Sequence, residues 1–227
     1  MNDSIKTLGR KPKPDPRDHG YLIKNNFSLT TPPALTQRYW NPDGWWGNQG
    51  NTPQCVGYSW AHWIEDGPVE HAGVAPILAP SVIYEGAKTL DEWPGENYDG
   101  TSVRGAVKYL AANGYVKSYY WAFDVDTIAQ YILNYGPMVV GTNWYNSMFT
   151  PDRRGVLRIG GRLAGGHAYV LNGVDTITRT FRIKNSWGKR WGKGGMALIR
   201  FTDMARLISE QGEACVAVEA TDSQLNS

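Results

Sequence analysis

The chain has 227 residues, 41% of them apolar and 19% charged, with a formal net charge of +2. That length suits one large domain or two small lobes, and the composition excludes a disordered chain. The charge is too small for nucleic-acid binding and no basic stripe is present, while no run approaches the roughly 18 apolar residues of a membrane helix.

The N-terminal stretch MNDSIKTLGRKPKPDPRDHG has no apolar segment of the kind a secretory signal needs. The expected location is therefore the cytoplasm, and association with a phage or virion is compatible with it. Only two cysteines are present, Cys55 and Cys215. Their spacing neither demands nor excludes a bridge, although a secreted fold of this size often carries more cysteines. No pair of His or Cys residues has metal-ligand spacing, so neither a metal nor a cofactor is expected. Ten Trp and thirteen Tyr suit a core, or a groove that grips an extended chain.

Residues 1–34 read as an irregular extended arm. In Lys11-Pro12-Lys13-Pro14-Asp15-Pro16 the alternate prolines lack an N–H and restrict the residue before them, which forbids regular helix. Such an arm either lies on the surface or plugs a groove. Residues 41–54, rich in Gly, Asn and Pro, form a loop. From Cys55 the chain changes character: CVGYSWAHWIED is dense in apolar and aromatic residues and predicts a largely buried helix, ended near Gly67-Pro68. Further helices are predicted from Ala79 to Leu90, and from Thr101 to Asn113 with Thr101 or Ser102 as N-cap and Gly114 as stop. A last one runs from Val125 to Asn134, started by Asp124 or Asp126 and stopped by Gly136-Pro137. PMVVGTNW, GVLRIGG, HAYVLNGVD, TFRIKNSW and GMALIRF then read as strands, with Cys215 a buried residue in a late strand. Helices first and strands second is an α+β pattern, and a cleft between the two parts is a natural place for a site.

A cysteine at a helix start lies among unpaired N–H groups that favour a thiolate, the nucleophilic form. It still needs a base. Of the four histidines, His19 lies in the Pro-rich arm, His62 is two turns along the Cys55 helix and too far to touch it, and His71 falls in a loop. His167 follows Gly165-Gly166 at a strand start and can face a cleft. Asn185, in IKNSWGKRWGKGG, is a neutral partner able to orient that imidazole, and Trp187 can cover the hydrogen bond. The Cys55 N–H and the Gln49 side-chain amide are candidate donors to an oxyanion.

The order Gln49-Gly50, Cys55, His167 and Asn185-Ser186-Trp187-Gly188 resembles the papain-like cysteine peptidases, with Gln49 six residues before Cys55 as in that family. Ser59, ten residues from Gln49, does not fit the nucleophile's place. The resemblance spans roughly Tyr21 to Val218. It implies a papain-like two-lobe α+β fold in a single domain over 1–227: a mainly helical lobe at about 45–130 and an antiparallel β-barrel-like lobe at about 131–218, with the site in the cleft between them. It also implies a cysteine endopeptidase acting on peptide or protein substrates. Cys55 would be its nucleophile, His167 its acid/base, Asn185 the orienting residue, Gln49 the oxyanion donor and Trp187 the shield.

More loosely, YDGTSVRGAVKYL is similar to the family's substrate-pairing turn. Gly100 and Thr101 would meet the substrate backbone, with Ser102, Val103, Gly141, Gly166 and Ala168 around the pocket for the second residue before the cut. Val56 stands where a Trp commonly follows the nucleophile, and Pro53-Gln54 where a disulfide cysteine is usual. The residues before Gln49 do not read as the family's long helical inhibitory pro-region, so the Lys/Pro arm at residues 6–18 is a candidate inhibitor lying in the groove. Two other readings are a lysin-like hydrolase of cell-wall peptides and a non-catalytic virion or binding protein keeping the fold. Neither nucleic acid nor membrane is an expected partner, and the oligomeric state is left open.

Overall fold

The computed structural model describes residues 7–30, 35–40, 45–68, 75–91, 93 and 98–219. Residues 1–6 and 31–34 of the arm, residues 41–44 of the predicted loop, and His71 lie outside them. Among the described residues, no helix is long and apolar enough to cross a membrane.

In chain order the elements are α1 (Ile23–Asn26), β1 (Gln37–Tyr39), α2 (Cys55–Asp66), α3 (Pro80–Leu90), α4 (Val103–Ala112), β2 (Val116–Ala122), α5 (Val125–Asn134), β3 (Met138–Tyr145), β4 (Leu163–Asp175), β5 (Thr180–Lys184), β6 (Met196–Arg200), α6 (Phe201–Ser209) and β7 (Glu213–Glu219). Helix starts follow their local chemistry. Ser102 caps α4 by accepting from the Gly105 N–H at 2.9 Å, and Asp124 caps α5 by accepting from the Thr127 N–H at 2.7 Å. Pro80, which lacks the N–H that would go unpaired at this position anyway, opens α3.

The strands form one antiparallel sheet in the order β2-β7-β3-β4-β5-β6, with β1 on the far end of β4. It is an open sheet, with β2 and β6 at its edges, and not the barrel-like closure expected from the sequence. The alternation of strand side chains sorts residues onto two faces. Val139, Ala168, Val170, Cys215 and Ala217 pack against α2, α3 and α4. Met138, Val140, Tyr169, Leu171, Ala214 and Val216 pack against α5 and α6. The sheet thus lies between two sets of helices, and β3, β4 and β7 are buried on both sides.

Several elements differ from expectation, among them the short α1 inside the arm read as irregular, and β1, which the sequence did not suggest. GVLRIGG does not become a strand: Gly155 and Gly161 have φ of +83° and +75°, and the few residues between them make only an isolated bridge, Val156 to Leu198. β2 was not expected, because its aromatic residues Tyr119, Tyr120 and Trp121 are consecutive and do not alternate apolar with polar, and only Trp121 of the three is fully buried. α6 begins at Phe201, where the strand reading ran on. Its buried Phe201, Met204, Leu207 and Ile208 keep helical spacing along one face.

A buried ion pair ties the end of α2 to β5. Lys184 Nζ lies 2.5 Å from Asp66 Oδ1, both side chains being out of solvent, and Asn172 Nδ2 reaches Asp66 Oδ2 at 3.5 Å. Burial pushes the Asp66 carboxyl up to about 6 even though Lys184 holds it down. Removing one partner leaves the other charge buried and unpaired, so Asp66→Ala is expected to lower unfolding free energy by about 3–5 kcal/mol. Urea denaturation followed by tryptophan fluorescence measures this, and a loss within error of zero would show that water reaches Lys184.

Candidate active site

α2 starts at Cys55 without a side-chain cap from Gln54, so the first-turn N–H groups surround the sulfur's own residue. Across from it runs β4, where His167 pairs with Thr142 and Ala168 with Gly141. The backbone N–H of Ala168 lies against the Cys55 sulfur, which puts Cys55 beside the residue that follows His167. β5 pairs Lys184 with Val170, so the chain beyond Lys184 runs back along β4 toward His167. His167 Nε2 and Asn185 Oδ1 are 2.8 Å apart. The Ser186 N–H also donates to that Oδ1 at 2.8 Å, which identifies the atom as the acceptor oxygen. Nε2 therefore carries the proton, and Nδ1 keeps a lone pair with no hydrogen-bond partner among the described residues.

Trp187 stacks on the imidazole at 4.6 Å between ring centroids and 22° between planes, and Trp144 meets it edge-on at 4.8 Å. The two rings keep water from the His167–Asn185 hydrogen bond. Gln49 is held from two sides: its N–H donates to the Ser186 carbonyl at 2.8 Å, and its Oε1 accepts from the Ser186 hydroxyl at 2.6 Å. That leaves Nε2 turned toward the groove. His62 braces the same loop, its Nε2 accepting from the Gly47 N–H at 2.9 Å. The Ser59 hydroxyl is spent on the Cys55 carbonyl at 2.7 Å.

The groove is filled by the chain's own arm. Gln49 Nε2 donates to the Thr7 carbonyl at 2.9 Å and to the Thr52 carbonyl at 2.8 Å. The Thr101 N–H donates to the Gly9 carbonyl at 2.9 Å, the Lys11 N–H to the Thr101 carbonyl at 2.8 Å, and the Arg10 N–H to the Gly166 carbonyl at 3.0 Å. Arg10 and Thr101 are thereby paired in parallel. Gly100 sits at φ +91°, and a Cβ there would come within 2.4 Å of the Gly9 carbonyl oxygen, so glycine is needed for this close approach. Further along, Lys11 Nζ lies 3.9 Å from the centre of the Tyr98 ring, and Arg104 is ion-paired with Asp18.

Covered in this way, both Cys55 and His167 are fully buried. Burial pushes the Cys55 thiol up to about 11, against the Ala168, Gly9 and Val56 N–H groups, which favour the anion. It also pushes His167 down to about 4, even though the Asn185 bond favours the imidazolium. With the arm seated, burial thus works against both the thiolate expected from the helix start and the imidazolium. Desolvation outweighs the helix terminus in a site closed to water.

Residues 55–217 match the family described as Papain family cysteine protease. The chain belongs to that family. A cathepsin B-like cysteine proteinase of Caenorhabditis elegans is 26% identical over 171 residues, 66% of this chain and 43% of the relative. An uncharacterized peptidase-like protein of Acanthamoeba polyphaga mimivirus is 29% identical over 118 residues, 50% of this chain and 38% of the relative. The chain thus spans less than half the length of these curated relatives. Among solved structures, xylellain, a cysteine protease from Xylella fastidiosa, superposes with a TM-score of 0.72 at 20% identity, covering 95% of this chain and 98% of that one. Procathepsin L 3 of the Tenebrio molitor larval midgut does so with a TM-score of 0.64 at 14% identity, covering 85% and 72%. These structures share the papain-like fold.

Within this papain-family chain, the positions singled out in the sequence converge unequally. Cys55, His167, Asn185, Gln49 and Trp187 gather at one end of the groove. Thr101 and Gly166 pair with the arm backbone, Gly100 gives it room, and Val103, Gly141 and Ala168 line the groove wall. Ser102 is occupied as the cap of α4 and is 1% exposed, so its side chain turns into the helix and away from the arm. Sequence reasoning missed Ser186, which holds Gln49, and Trp144, which walls His167. It also missed Glu213, which faces Arg10. Ser186 lies inside the motif that was read, whereas Trp144 and Glu213 reach the groove only through strand pairing.

Proposed function

We propose that the chain is a cysteine endopeptidase. Cys55, as thiolate, attacks a peptide carbonyl. Gln49 Nε2 and the Cys55 N–H donate to the oxyanion. His167, through Nδ1, takes the thiol proton, gives it to the leaving amine, and then activates water to release the acyl group. Asn185 holds the imidazole in the tautomer that leaves Nδ1 basic. The observation that carries this reading is the meeting of the α2 start with β4 beside an imidazole whose other nitrogen is already held. Internal cleavage is supported by the seated arm: a continuous chain passes from Thr7 at the Gln49 amide, over the sulfur at Gly9, to Lys11, so the groove admits chain on both sides of the sulfur. The same contacts make the arm an inhibitor, because Thr7 takes the Gln49 amide and Gly9 covers the sulfur.

The test is cleavage of internally quenched peptides blocked at both ends, together with labelling by a thiol-directed epoxide. Both should depend on Cys55, and turnover that survives its removal would end the proposal. Gln49→Ala is expected to lower kcat by about 10²-fold. Asn185→Ala should lower kcat less and leave partial activity. Steady-state kinetics on the blocked peptide distinguishes these losses from a change in KM alone, which would place either residue in binding only.

A further inference from the structure

Two runs that are apart in the chain meet at Trp187, the ring that shields His167. Phe149 stacks on Trp187 with ring centroids 5.5 Å apart and planes at 16°, and Trp191 Nε1 donates to the Phe149 carbonyl at 2.8 Å. Beyond Phe149 the chain turns at residues 152–155, where the Gly155 N–H donates to the Asp152 carbonyl at 2.7 Å, and then bridges β6 through Val156 and Leu198. The stem of Lys193 runs along that turn: a Cβ on Gly155 would lie 3.1 Å from Lys193 Cδ. On the other side, the Gly188 N–H donates to the Gly47 carbonyl at 3.3 Å, two residues before Gln49. One surface thus forms beside the site from the loop after Phe149 and the loop after Trp187.

That surface is basic. Residues 146–164 hold four arginines and one aspartate, and residues 186–196 hold three cations and no acid, a net +6 in a chain whose whole net charge is +2. All seven cations are exposed. The sequence shows no basic stripe because the two runs come together only in the fold. Asp152 is already engaged within its own turn: Oδ1 accepts from the Arg154 N–H at 2.9 Å and the Val156 N–H at 3.0 Å, and Oδ2 lies 3.6 Å from Arg158. Arg153, Arg190 and Lys193 make no ion pair among the described residues. Like charges gathered on one surface repel each other and raise the local concentration of anions. Arginine forks match carboxylates in particular. In the reaction proposed above, the leaving amine takes its proton from His167 Nδ1. The chain after the cut therefore departs past the imidazole and its Trp187–Phe149 cover, toward these cations.

We propose that this basic surface receives the part of the substrate that follows the scissile bond and selects acidic residues there. The inference rests on the peptidase reading and adds a substrate class to it. Arg153, Arg190 and Lys193 are then specificity-determining residues that act by charge. Because they are exposed, their attraction is screened by salt and acts mainly on the capture of substrate.

The experiment uses the full chain carrying Gly9→Val, which displaces the arm, and quenched peptides that are identical up to the cut and carry three Glu, three Gln or three Lys after it. At about 0.01 M salt the Glu peptide should show kcat/KM about tenfold above the Gln peptide, with the Lys peptide lower still. At about 1 M salt, where the screening length falls from about 30 Å to about 3 Å, the three should converge. Arg153→Glu combined with Arg190→Glu should invert the order at low salt while leaving the Gln peptide within about twofold of its parent rate. The same three Glu placed before the cut should bring no such gain. Equal rates for the Glu and Gln peptides at low salt, a Glu preference that survives the charge reversal, or an equal gain from Glu before the cut each overturns the proposal. So does inhibition of every peptide alike by duplex DNA or a sulfated glycan with no Glu preference, which would make the surface a dock for polyanions. If no peptide is cut, the peptidase reading falls and the surface is judged by calorimetry alone. The Glu peptide should then bind the Gly9→Val chain about tenfold more tightly than the Gln peptide at low salt, and equal binding would refute the selectivity.

Discussion

Replacement of Cys55 by alanine is expected to bring peptide hydrolysis down by a factor on the order of 10⁵ or more, because a nucleophile and its base act as a unit and the residual rate comes only from binding and oxyanion donors. The substitution should cost little in folding. Cys55 is buried at a helix start, and alanine retains most of its packing while improving helix propensity. Circular dichroism and thermal unfolding should therefore overlay with the parent while turnover and epoxide labelling vanish together. Labelling that persists in Cys55→Ala would point to Cys215. That residue is poorly placed to compete: it is fully buried in β7, and burial beside Glu213 holds its thiol well above the usual range.

Gly9→Val carries the second large effect, in the opposite direction. A Cβ at residue 9 would come within 1.9 Å of the Pro53 carbonyl oxygen and 2.4 Å of its carbon, so the arm cannot stay seated with any side chain there. Lifting it frees the Gln49 amide from Thr7 and uncovers the sulfur. kcat/KM on a blocked peptide should rise by about tenfold or more, since only the open fraction of the parent binds substrate. Thiol chemistry should change in step. With the arm seated, the thiol is pushed up to about 11 and the imidazole down to about 4, so iodoacetamide should react slowly at pH 7 and faster as the pH rises toward 11. With the arm lifted, water and the helix start should favour the thiolate–imidazolium pair, and the alkylation profile should move to lower pH. An unchanged kcat/KM and an unchanged alkylation profile would show that the arm does not govern access.

Some of the molecule was legible because its signals are local. Ser102 and Asp124 each place an oxygen where a helix start needs an acceptor, and CVGYSWAHWIED is apolar on every side because α2 is enclosed on every side. The same holds for the family resemblance: the Gln49–Cys55 spacing and the Asn185-Ser186-Trp187-Gly188 segment are short runs that carry their meaning within a few residues. Long-range pairing was less legible. β2 and β7 are adjacent in the sheet, yet Trp121 and Cys215 are far apart in sequence, and neither run alternates cleanly enough to be read alone. GVLRIGG looked like a strand because leucine, isoleucine and valine favour extended backbone, but the glycines at its ends turn the chain before a ladder can form.

The sequence by itself determined the family and the order of helices α2 to α5, and brought forward the cysteine, histidine and asparagine as candidates, because each of these is written in contiguous residues with their own chemistry. Only the tertiary structure decided that the sheet stays open, that Glu213 reaches the groove, and that residues 7–11 lie across the cysteine. The physical reason is desolvation. A helix start favours a thiolate wherever it occurs, but whether the sulfur is charged depends on what covers it, and the cover comes from residues more than forty positions away.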